Sequence, residues 1–374
     1  MRFRTDGFRT ANRMRVRDLP SELVGRIRNG VVIPAAPLAL DKNRTLDEKH
    51  QVALTRYYID AGAGAIAVGV HTTQFQIRDP KIGLFEPVLG LCSETVDDHC
   101  RRTGRQGVFK IAGICGKVEQ ALAEVEFALE AGYHAGLVSL GAYAGTDVEI
   151  KELLAHCRAV AEIIPIFGFY LQPPAGGLPL PLEFWRGFAE IDNVLAIKIA
   201  PFNRYQTLDV VRAVCEAGRQ KEISLYTGND DNIVIDLLTK YRFNTPRGEA
   251  SVRIVGGLLG QWAVWTQKAV ELLDKIHQLT AKDLPAEPEL LTLGAQITDA
   301  NAAIFDAANS FAGCIPGMNT VLYAQGLMGG TCCLDPDETL SPGQEEQIRR
   351  VHTDYPHLND DAFVQENLGG WLAD

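Results

Sequence analysis

The sequence lacks the long apolar runs that carry a chain into or across a membrane. Its 374 residues contain no stretch of about 18 apolar residues, the length that a membrane-spanning helix needs. Residues 1–28 are rich in arginine but have no continuous apolar segment, so we expect no secretory signal. These absences predict a cytoplasmic protein that makes no membrane contact, with residues 1–28 as an N-terminal arm.

The spacings typical of metal and redox sites are also missing. The eight cysteines form no Cys-x-x-Cys pair and no metal-like pattern with histidine, so we expect free thiols, no metal and no cofactor. Positive charge is scarce, because 36 lysines and arginines stand against 47 aspartates and glutamates, a formal net charge of -11. This balance argues against general binding to nucleic acid or to anionic membranes.

No Gly-x-Gly-x-x-Gly motif and no P-loop follows the first predicted strand, which weakens the alternative of an open doubly wound sheet. Instead, short apolar strands alternate with helical patterns in eight units over about 250 residues, as in a (β/α)8 TIM barrel. We therefore predict an α/β barrel over 29–282, with its eighth strand at 251–256 after a helix at 232–241. A C-terminal α-helical extension is predicted over 283–374, with a loose tail after Pro356.

The sixth predicted strand carries a lysine inside an apolar run. Successive side chains of a strand point to opposite faces, so Lys198 shares a face with the small residues Ala196 and Ala200. A buried ammonium is costly unless it is paired or loses its proton, and a neutral amine forms Schiff bases with carbonyl compounds. The alternative is a lysine at the end of an edge strand whose amine reaches water.

Three further reactive side chains are expected near this lysine. Active sites of barrels lie at the carboxyl ends of the strands. Alternation predicts that Tyr170 points inward at the end of strand five and that His71 lies at the rim after strand two, with Thr72 beside it. Each residue alone has a structural explanation. The predicted convergence of an amine, a phenol, an imidazole and a hydroxyl is what indicates an active site.

Four segments match, in order along the barrel, motifs of a known family. The matching segments are Gly69-Val70-His71-Thr72-Thr73-Gln74-Phe75, Tyr170-Leu171-Gln172-Pro173, Ala196-Ile197-Lys198 and Gly228-Asn229-Asp230-Asp231. With these motifs the chain resembles the dihydrodipicolinate synthase and N-acetylneuraminate lyase superfamily of Schiff-base-forming class I aldolases. The resemblance extends from about Gly30 to Leu279 and more loosely to about Val351.

The resemblance implies a role for each matched residue. Lys198 would condense with a 2-oxo acid such as pyruvate, Tyr170 would move protons, and Thr72 would bind the carboxylate together with nearby backbone amides. Tyr143 is implied as the tyrosine that the family contributes across a tight dimer, so a homo-dimer or homo-tetramer is expected. Further substrate-binding candidates are Thr73, Gly228, Asn229, Arg204, Arg253 and Ile254.

Several positions depart from the family pattern. His71 replaces the first hydroxyl of the loop after strand two, and it would either transfer protons or orient the substrate. Gln74 replaces the glutamate of that loop. The segment Pro174-Ala175-Gly176-Gly177 lacks the arginine with which the synthase branch holds an aldehyde substrate's carboxylate. Dihydrodipicolinate synthase activity itself is therefore not expected.

Together these residues predict a Schiff-base lyase, either an aldolase or a dehydratase. Its substrate would be a 2-oxo acid such as pyruvate or a 2-keto-3-deoxy sugar acid. The alternative is a catalytically altered barrel that binds a 2-oxo acid as a regulatory protein. The replaced hydroxyl and the missing arginine favour this alternative, whereas the presence of both Lys198 and Tyr170 counts against it.

Overall fold

A barrel of parallel strands surrounded by helices forms the body of the protein. The computed structural model describes residues 13–105 and 107–373. The strands are β1 (Val32–Pro34), β2 (Ala65–Val68), β3 (Phe109–Ile114), β4 (Ala135–Val138), β5 (Ile166–Leu171), β6 (Val194–Ala200), β7 (Ser224–Thr227), β8 (Lys240–Thr245) and β9 (Gly248–Leu259). Eight of them pair in the order β1-β9-β7-β6-β5-β4-β3-β2, and β8 pairs only with β9. This confirms the predicted TIM barrel.

The barrel is nearly closed between its first two strands. Ala35, just after β1, forms a parallel bridge with Ala67 of β2, and the Ala36 amide donates to the Ala67 carbonyl oxygen at 2.9 Å. All other neighbours in the barrel are paired in parallel, so the carboxyl ends of all eight strands lie at the same end. We call this end the mouth.

Helices cover the outside of the barrel and continue beyond it. They are α1 (Ser21–Asn29), α2 (Glu48–Asp60), α3 (Phe85–Thr103), α4 (Val118–Glu130), α5 (Ile150–Ala161), α6 (Leu182–Ala189), α7 (Arg204–Ala217), α8 (Ile233–Leu238), α9 (Thr266–Ala281), α10 (Pro288–Ile304), α11 (Cys314–Ala324), α12 (Gln344–Asp354) and α13 (Asp361–Trp371). Within the described residues, no helix is both long and apolar enough to cross a membrane.

Two apolar layers explain why the strands are nearly continuous apolar runs. One face of each strand packs against the helices, and the other packs inside the barrel, so few positions tolerate polar side chains. The inner layer is built largely from bulky residues: Phe109, Phe167, Leu195, Tyr226 and Leu258 are all at most 1% exposed. The interior of the barrel is therefore a packed core and not a pore.

The described part of the predicted N-terminal arm is an integral part of the fold. Val24 and Ile27 of α1 join the inner apolar layer, and the Tyr226 hydroxyl donates to the Ile27 carbonyl oxygen at 2.6 Å. Before α1, the Val16 amide donates to the Asn193 side chain at 2.9 Å. Residues 13–29 thus close the end of the barrel opposite the mouth, while residues 1–12 of the predicted arm lie outside the described residues.

A β-hairpin replaces part of the predicted seventh helix. The helix predicted over 232–241 ends at Leu238, and β8 then runs antiparallel to the first half of β9. The turn between them uses Gly248 at φ +106° and the Thr245 hydroxyl, which donates to the Gly248 carbonyl oxygen at 2.8 Å. As a result β9 continues to Leu259, three residues beyond the predicted end of the eighth strand.

The C-terminal region is helical, as predicted, but its last part is not a loose tail. After Pro356, helix α13 packs on α2, and Trp371 is 3% exposed. The Trp371 indole donates to Asp60 at 2.7 Å, and the Tyr57 hydroxyl donates to Asp360 at 2.7 Å. These buried polar contacts fix the end of the chain to the outside of the barrel.

Candidate active site

A small cavity of about 180 Å³ lies at the mouth of the barrel. Its floor is formed by residues at the ends of the strands, including Lys198, and its roof by residues of the C-terminal extension, including Phe311. The cavity therefore occupies the place where barrel enzymes have their active sites.

Lys198 extends along β6 into this cavity. It lies beside Phe169 of β5 in the strand register, and its ammonium nitrogen is 4.5 Å from the centre of the Phe169 ring. The side chain is packed so closely that a Cβ atom added to Gly228 would lie 2.8 Å from Lys198 Cε. Ala200 Cβ is closer still, at 2.7 Å from such an atom, so glycine at position 228 leaves room for both side chains.

The pKa of Lys198 is lowered because burial removes the water that would stabilise its charge. The side chain is only 8% exposed. Asp230, which also lines the cavity, opposes this shift through its negative charge, and its own pKa is raised, chiefly by burial. The lowered pKa of Lys198 increases the neutral, nucleophilic fraction of the amine near neutral pH.

His71 and Thr72 lie on the cavity wall in a single helical turn after β2. Burial, and then the positive charge of Lys198, lower the pKa of His71 to about 4, so the imidazole is neutral at pH 7. The Thr72 hydroxyl donates to the Ala35 carbonyl oxygen at 2.7 Å. Thr73 does not line the cavity, and its hydroxyl donates to the Ala36 carbonyl oxygen at 2.7 Å, which joins this turn to the end of β1.

Tyr170 does not point into the barrel, so the predicted inward orientation is wrong. Its ring packs against Trp185 of α6 at 5.3 Å, and its hydroxyl accepts a hydrogen bond from the Leu180 amide at 3.1 Å. The small residue on its face, Gly168, is close to the helices: a Cβ atom there would lie 2.7 Å from the Phe188 ring. In β5 the small face therefore accommodates α6, while the phenylalanine face fills the barrel.

Leu171 takes the position on the cavity wall that the sequence assigned to a tyrosine. Two consecutive prolines, Pro173 and Pro174, follow the strand, so the Tyr-x-x-Pro pattern can be counted from either. Counted from Pro174, the first position of the pattern is Leu171, which lines the cavity. The described part of the cavity wall consequently contains no phenol.

Solved structures of dihydrodipicolinate synthases and of an N-acetylneuraminate lyase share this architecture. A monomeric dihydrodipicolinate synthase variant is 20% identical, with a TM-score of 0.69, over 88% of this chain and 97% of that one. The dihydrodipicolinate synthase of Thermotoga maritima is 19% identical, with a TM-score of 0.69, over 87% and 99%. The N-acetylneuraminate lyase of Fusobacterium nucleatum, in complex with pyruvate, is 14% identical, with a TM-score of 0.66, over 88% and 97%.

This chain has the dihydrodipicolinate synthase fold. The result confirms the resemblance in fold that the motifs indicated, at a low sequence identity. No protein-family model and no curated protein sequence matches the chain. The functional residues within this fold must accordingly be judged from their own geometry.

Tyr143 lies outside the cavity of this dihydrodipicolinate synthase fold. It ends a single helical turn after β4, and its hydroxyl oxygen is 3.2 Å from Nδ1 of His156 on α5. The two rings meet edge to face at 5.4 Å. Within this chain the phenol is a contact of the outer helical layer and not a neighbour of Lys198.

Arg204 and Asn229 belong to a polar scaffold beside the cavity. Arg204 forms an ion pair with the buried Asp236, which also accepts a hydrogen bond from Asn229 at 3.0 Å. The Asn229 side-chain oxygen accepts a hydrogen bond from the Phe202 amide at 3.0 Å. Asn229 therefore positions Phe202, which does line the cavity, whereas neither Asn229 nor Arg204 lines it.

Arg253 and Ile254 are far from the mouth, contrary to their predicted role in substrate binding. They lie in the first half of β9, where Arg253 pairs with Lys240 of the hairpin and donates to Asp283 at 3.1 Å. The prediction ended the eighth strand too early, at residue 256. Because β9 continues to Leu259, the residue of this strand that reaches the cavity is Gly260.

Two groups of residues that line the cavity are not predicted from the sequence. Asp230 had a detectable signal, since it is two residues after Gly228 and four after the inward Tyr226, and so continues the inward alternation. No pattern in the sequence indicates Phe305 and Phe311, because they reach the cavity from the helical extension. Within the described chain, no group of three or more histidine, cysteine, aspartate or glutamate residues is arranged to hold a metal ion.

Proposed function

We propose that this protein is a Schiff-base-dependent lyase that acts on a 2-oxo acid through Lys198. The observation that carries the proposal is a buried amine of lowered pKa at the mouth of a barrel. The shared fold with dihydrodipicolinate synthases and with a pyruvate-bound N-acetylneuraminate lyase supports it. The reaction class is carbon–carbon or carbon–oxygen cleavage, by an aldolase or a dehydratase.

The proposed chemistry begins with the neutral amine. Lys198 attacks the C2 carbonyl carbon, one amine proton moves to the oxygen, a second proton comes from an acid, and water leaves to give a protonated imine. The imine then accepts electrons in one of two ways. Either a base removes the C4 hydroxyl proton, C4 becomes the carbonyl of a released aldehyde and the electrons of the C3–C4 bond move to the imine, or C3 loses a proton to a base and the resulting carbanion is stabilised as an enamine. In the second case the C4 hydroxyl leaves as water from the resulting enamine.

Asp230 and His71 are the groups proposed to move these protons. Burial raises the pKa of Asp230, so this carboxyl group can carry a proton closer to neutral pH than an exposed aspartate. His71 is neutral at pH 7 and can accept a proton or donate a hydrogen bond. Thr72 is proposed to bind the substrate carboxylate after its hydroxyl turns away from the Ala35 carbonyl oxygen.

Reductive trapping tests the Schiff base directly. The protein is incubated with pyruvate and sodium borohydride, its mass is measured, and the modified peptide is identified. We expect one adduct, on Lys198, and none on Lys110, another buried strand lysine, whose amine is bonded to Asp97 at 2.8 Å. Lys198→Ala, checked for folding by circular dichroism, should abolish the adduct. Absence of any adduct with a panel of 2-oxo acids would refute the proposal.

A second candidate function is ligand binding without turnover. It is favoured by Leu171, because no phenol lies on the described cavity wall to relay protons to the imine. The two functions differ in a simple assay. A regulatory binder would form the Lys198 adduct but would release neither pyruvate nor water from any 2-keto-3-deoxy acid.

We also propose a homo-dimer or homo-tetramer, although one synthase of this fold is described as a monomeric variant.

A further inference from the structure

The cavity beyond Lys198 has an apolar wall drawn from three parts of the chain. Phe169 and Leu171 come from β5, Phe202 follows β6, and Phe305 and Phe311 come from the extension. Phe202 and Phe311 meet edge to face at 5.6 Å between ring centres. Together these side chains form a continuous apolar surface. None of them can form a hydrogen bond with a hydroxyl group of the substrate.

This wall is held in place by buried polar contacts. The Asp306 carboxylate accepts a hydrogen bond from the Gly313 amide at 3.0 Å, and Gln344 donates to the Gly313 carbonyl oxygen at 2.9 Å. These bonds fix both ends of the loop that carries Phe311. Three non-glycine residues of this loop have left-handed backbone conformations, Asp306 at φ +57°, Ser310 at φ +55° and Phe311 at φ +69°. Such backbone strain persists only where surrounding contacts enforce it.

The cavity offers few charged groups for a second acidic part of a substrate, and its neutral polar side chains are those of Thr72, Gln172 and Ser310. Among the described residues that line it, the only basic side chains are Lys198 and His71. Lys198 is taken by the imine, and the pKa of His71 is lowered to about 4. A second carboxylate or a phosphate would therefore lose its water without gaining a cation, and it would face the carboxyl group of Asp230.

The size of the cavity sets a second limit. An engineered apolar cavity of about 150 Å³ holds one benzene molecule, and this cavity measures about 180 Å³. A 2-oxo acid with a short side chain fits this volume. A longer polyhydroxy acid would extend from this volume past the aromatic side chains of the roof, including Phe311.

We infer that the substrates are short 2-oxo acids that, apart from the C4 hydroxyl group required for cleavage, are apolar beyond C3, and that Phe311 and its neighbours exclude polyhydroxy and second-acid substrates. The inference rests on the proposed Schiff-base function and names its substrate class. A sugar-derived 2-keto-3-deoxy acid, which the family motifs lead us to expect, would then be the less preferred substrate.

Trapping with a matched panel of acids tests the inference. The half-saturating concentration for borohydride trapping is measured with 2-oxobutyrate, 2-oxovalerate, 2-oxoglutarate and 2-keto-3-deoxygluconate. We expect the two apolar acids to saturate at concentrations at least about tenfold lower than the other two. Equal or reversed preferences would overturn the inference while leaving the Schiff base intact. Failure of every acid would instead count against the proposed function.

A variant of the roof tests the role of Phe311. Phe311→Ala should reduce the preference for 2-oxovalerate over 2-keto-3-deoxygluconate, because it opens the wall. Tyr323→Ala, at a 53% exposed position of α11 in the same extension, should leave the preference unchanged. If Phe311→Ala does not fold, Phe311→Leu provides a milder opening. An unchanged preference in a folded Phe311 variant would show that this wall does not select the substrate.

Discussion

Two lysines that are buried in strands of this barrel have different environments. Lys110 of β3 is 4% exposed, and its amine bonds both oxygens of Asp97 at 2.8 Å and Ser93 at 2.9 Å. Lys198 is 8% exposed, and among the described residues its amine makes no hydrogen bond or ion pair. A contact with the face of Phe169 replaces only part of the lost hydration. Of the two lysines, Lys198 therefore has the amine that is available for chemistry.

The pH dependence of trapping follows from the lowered pKa of Lys198. The neutral amine is the reactive form, so the initial rate of cyanoborohydride trapping with pyruvate should rise with pH and level off below the usual range of lysine, about 10.4. Asp230 raises the pKa of Lys198 by its charge. Asp230→Asn should consequently move the midpoint to lower pH. The exposed Asp283→Asn is the control, and a midpoint near 10 in the native protein would contradict the environment described for Lys198.

At the scale of elements, β5 shows how a strand serves two layers at once. Its phenylalanines fill the barrel, while Gly168 allows α6 to approach the opposite face. A Cβ atom at position 168 would lie 2.7 Å from the Phe188 ring and 3.3 Å from the Trp185 ring. The glycine thus sets the distance between a strand and a helix that lie next to the cavity wall.

A single methyl group should disturb this packing. Gly168→Ala is expected to lower the free energy of unfolding by about 1–3 kcal/mol, because the rings of Phe188 and Trp185 are enclosed and cannot move freely. Urea denaturation followed by tryptophan fluorescence measures the change. Gly369→Ala is the matched control, since nothing lies within 4 Å of a Cβ atom there, and in α13 it should be neutral or stabilising. Equal stability of the two variants would contradict the close approach of α6.

At the scale of the whole molecule, the extension and the barrel form one packed unit. The extension contributes the roof of the cavity near Phe305, and its last helix, α13, packs on α2 on the outside. Trp371 has ring contacts at 5.5 Å with both Tyr57 and Phe363. The end of the chain is therefore expected to contribute to global stability and not only to the local order of the tail.

Truncation of Trp371 tests this coupling. Trp371→Ala removes a large buried side chain and leaves Asp60 without the indole donor, so a loss of about 3–5 kcal/mol in the free energy of unfolding is expected. Chemical denaturation measures it, with the exposed Tyr323→Ala expected to stay within about 0.5 kcal/mol of the parent. Because Trp371 does not line the cavity, trapping of Lys198 in the folded protein should persist. A negligible loss would mean that α13 is dispensable.

The architecture was predictable from the sequence because parallel strands buried on both faces are short, almost wholly apolar runs. The β8–β9 hairpin is not predicted, although the residues of β8 alternate between exposed and half-buried positions, because β8 follows a helix directly and the helical prediction extends into it. Alternation also states which residues share a face, but it does not state which face is inside. This is why Lys198 was placed in the barrel correctly by its pattern, whereas Tyr170 in the neighbouring strand was assigned to the wrong side.

The residues that form the roof of the cavity could not be predicted from the sequence, for a different reason. Phe305 and Phe311 meet Phe202 only because the extension returns to the mouth, and no local pattern records such a distant contact. Asp230 lay within a recognised motif, but the neighbouring Asn229 was selected in its place. The inward alternation from Tyr226 through Gly228 would have distinguished the two.

The position of the roof along the chain has a consequence for synthesis. The reactive amine belongs to residue 198, whereas the bonds that hold the roof reach Gln344. At about 5–20 residues per second, a ribosome takes roughly 7–29 s to make the intervening 146 residues. In the later part of that interval, after the last barrel strand has been made as far as Leu259, the barrel still lacks the residues that cover its mouth. The aromatic wall proposed to select the substrate can be fixed in place only after residue 344 has been made.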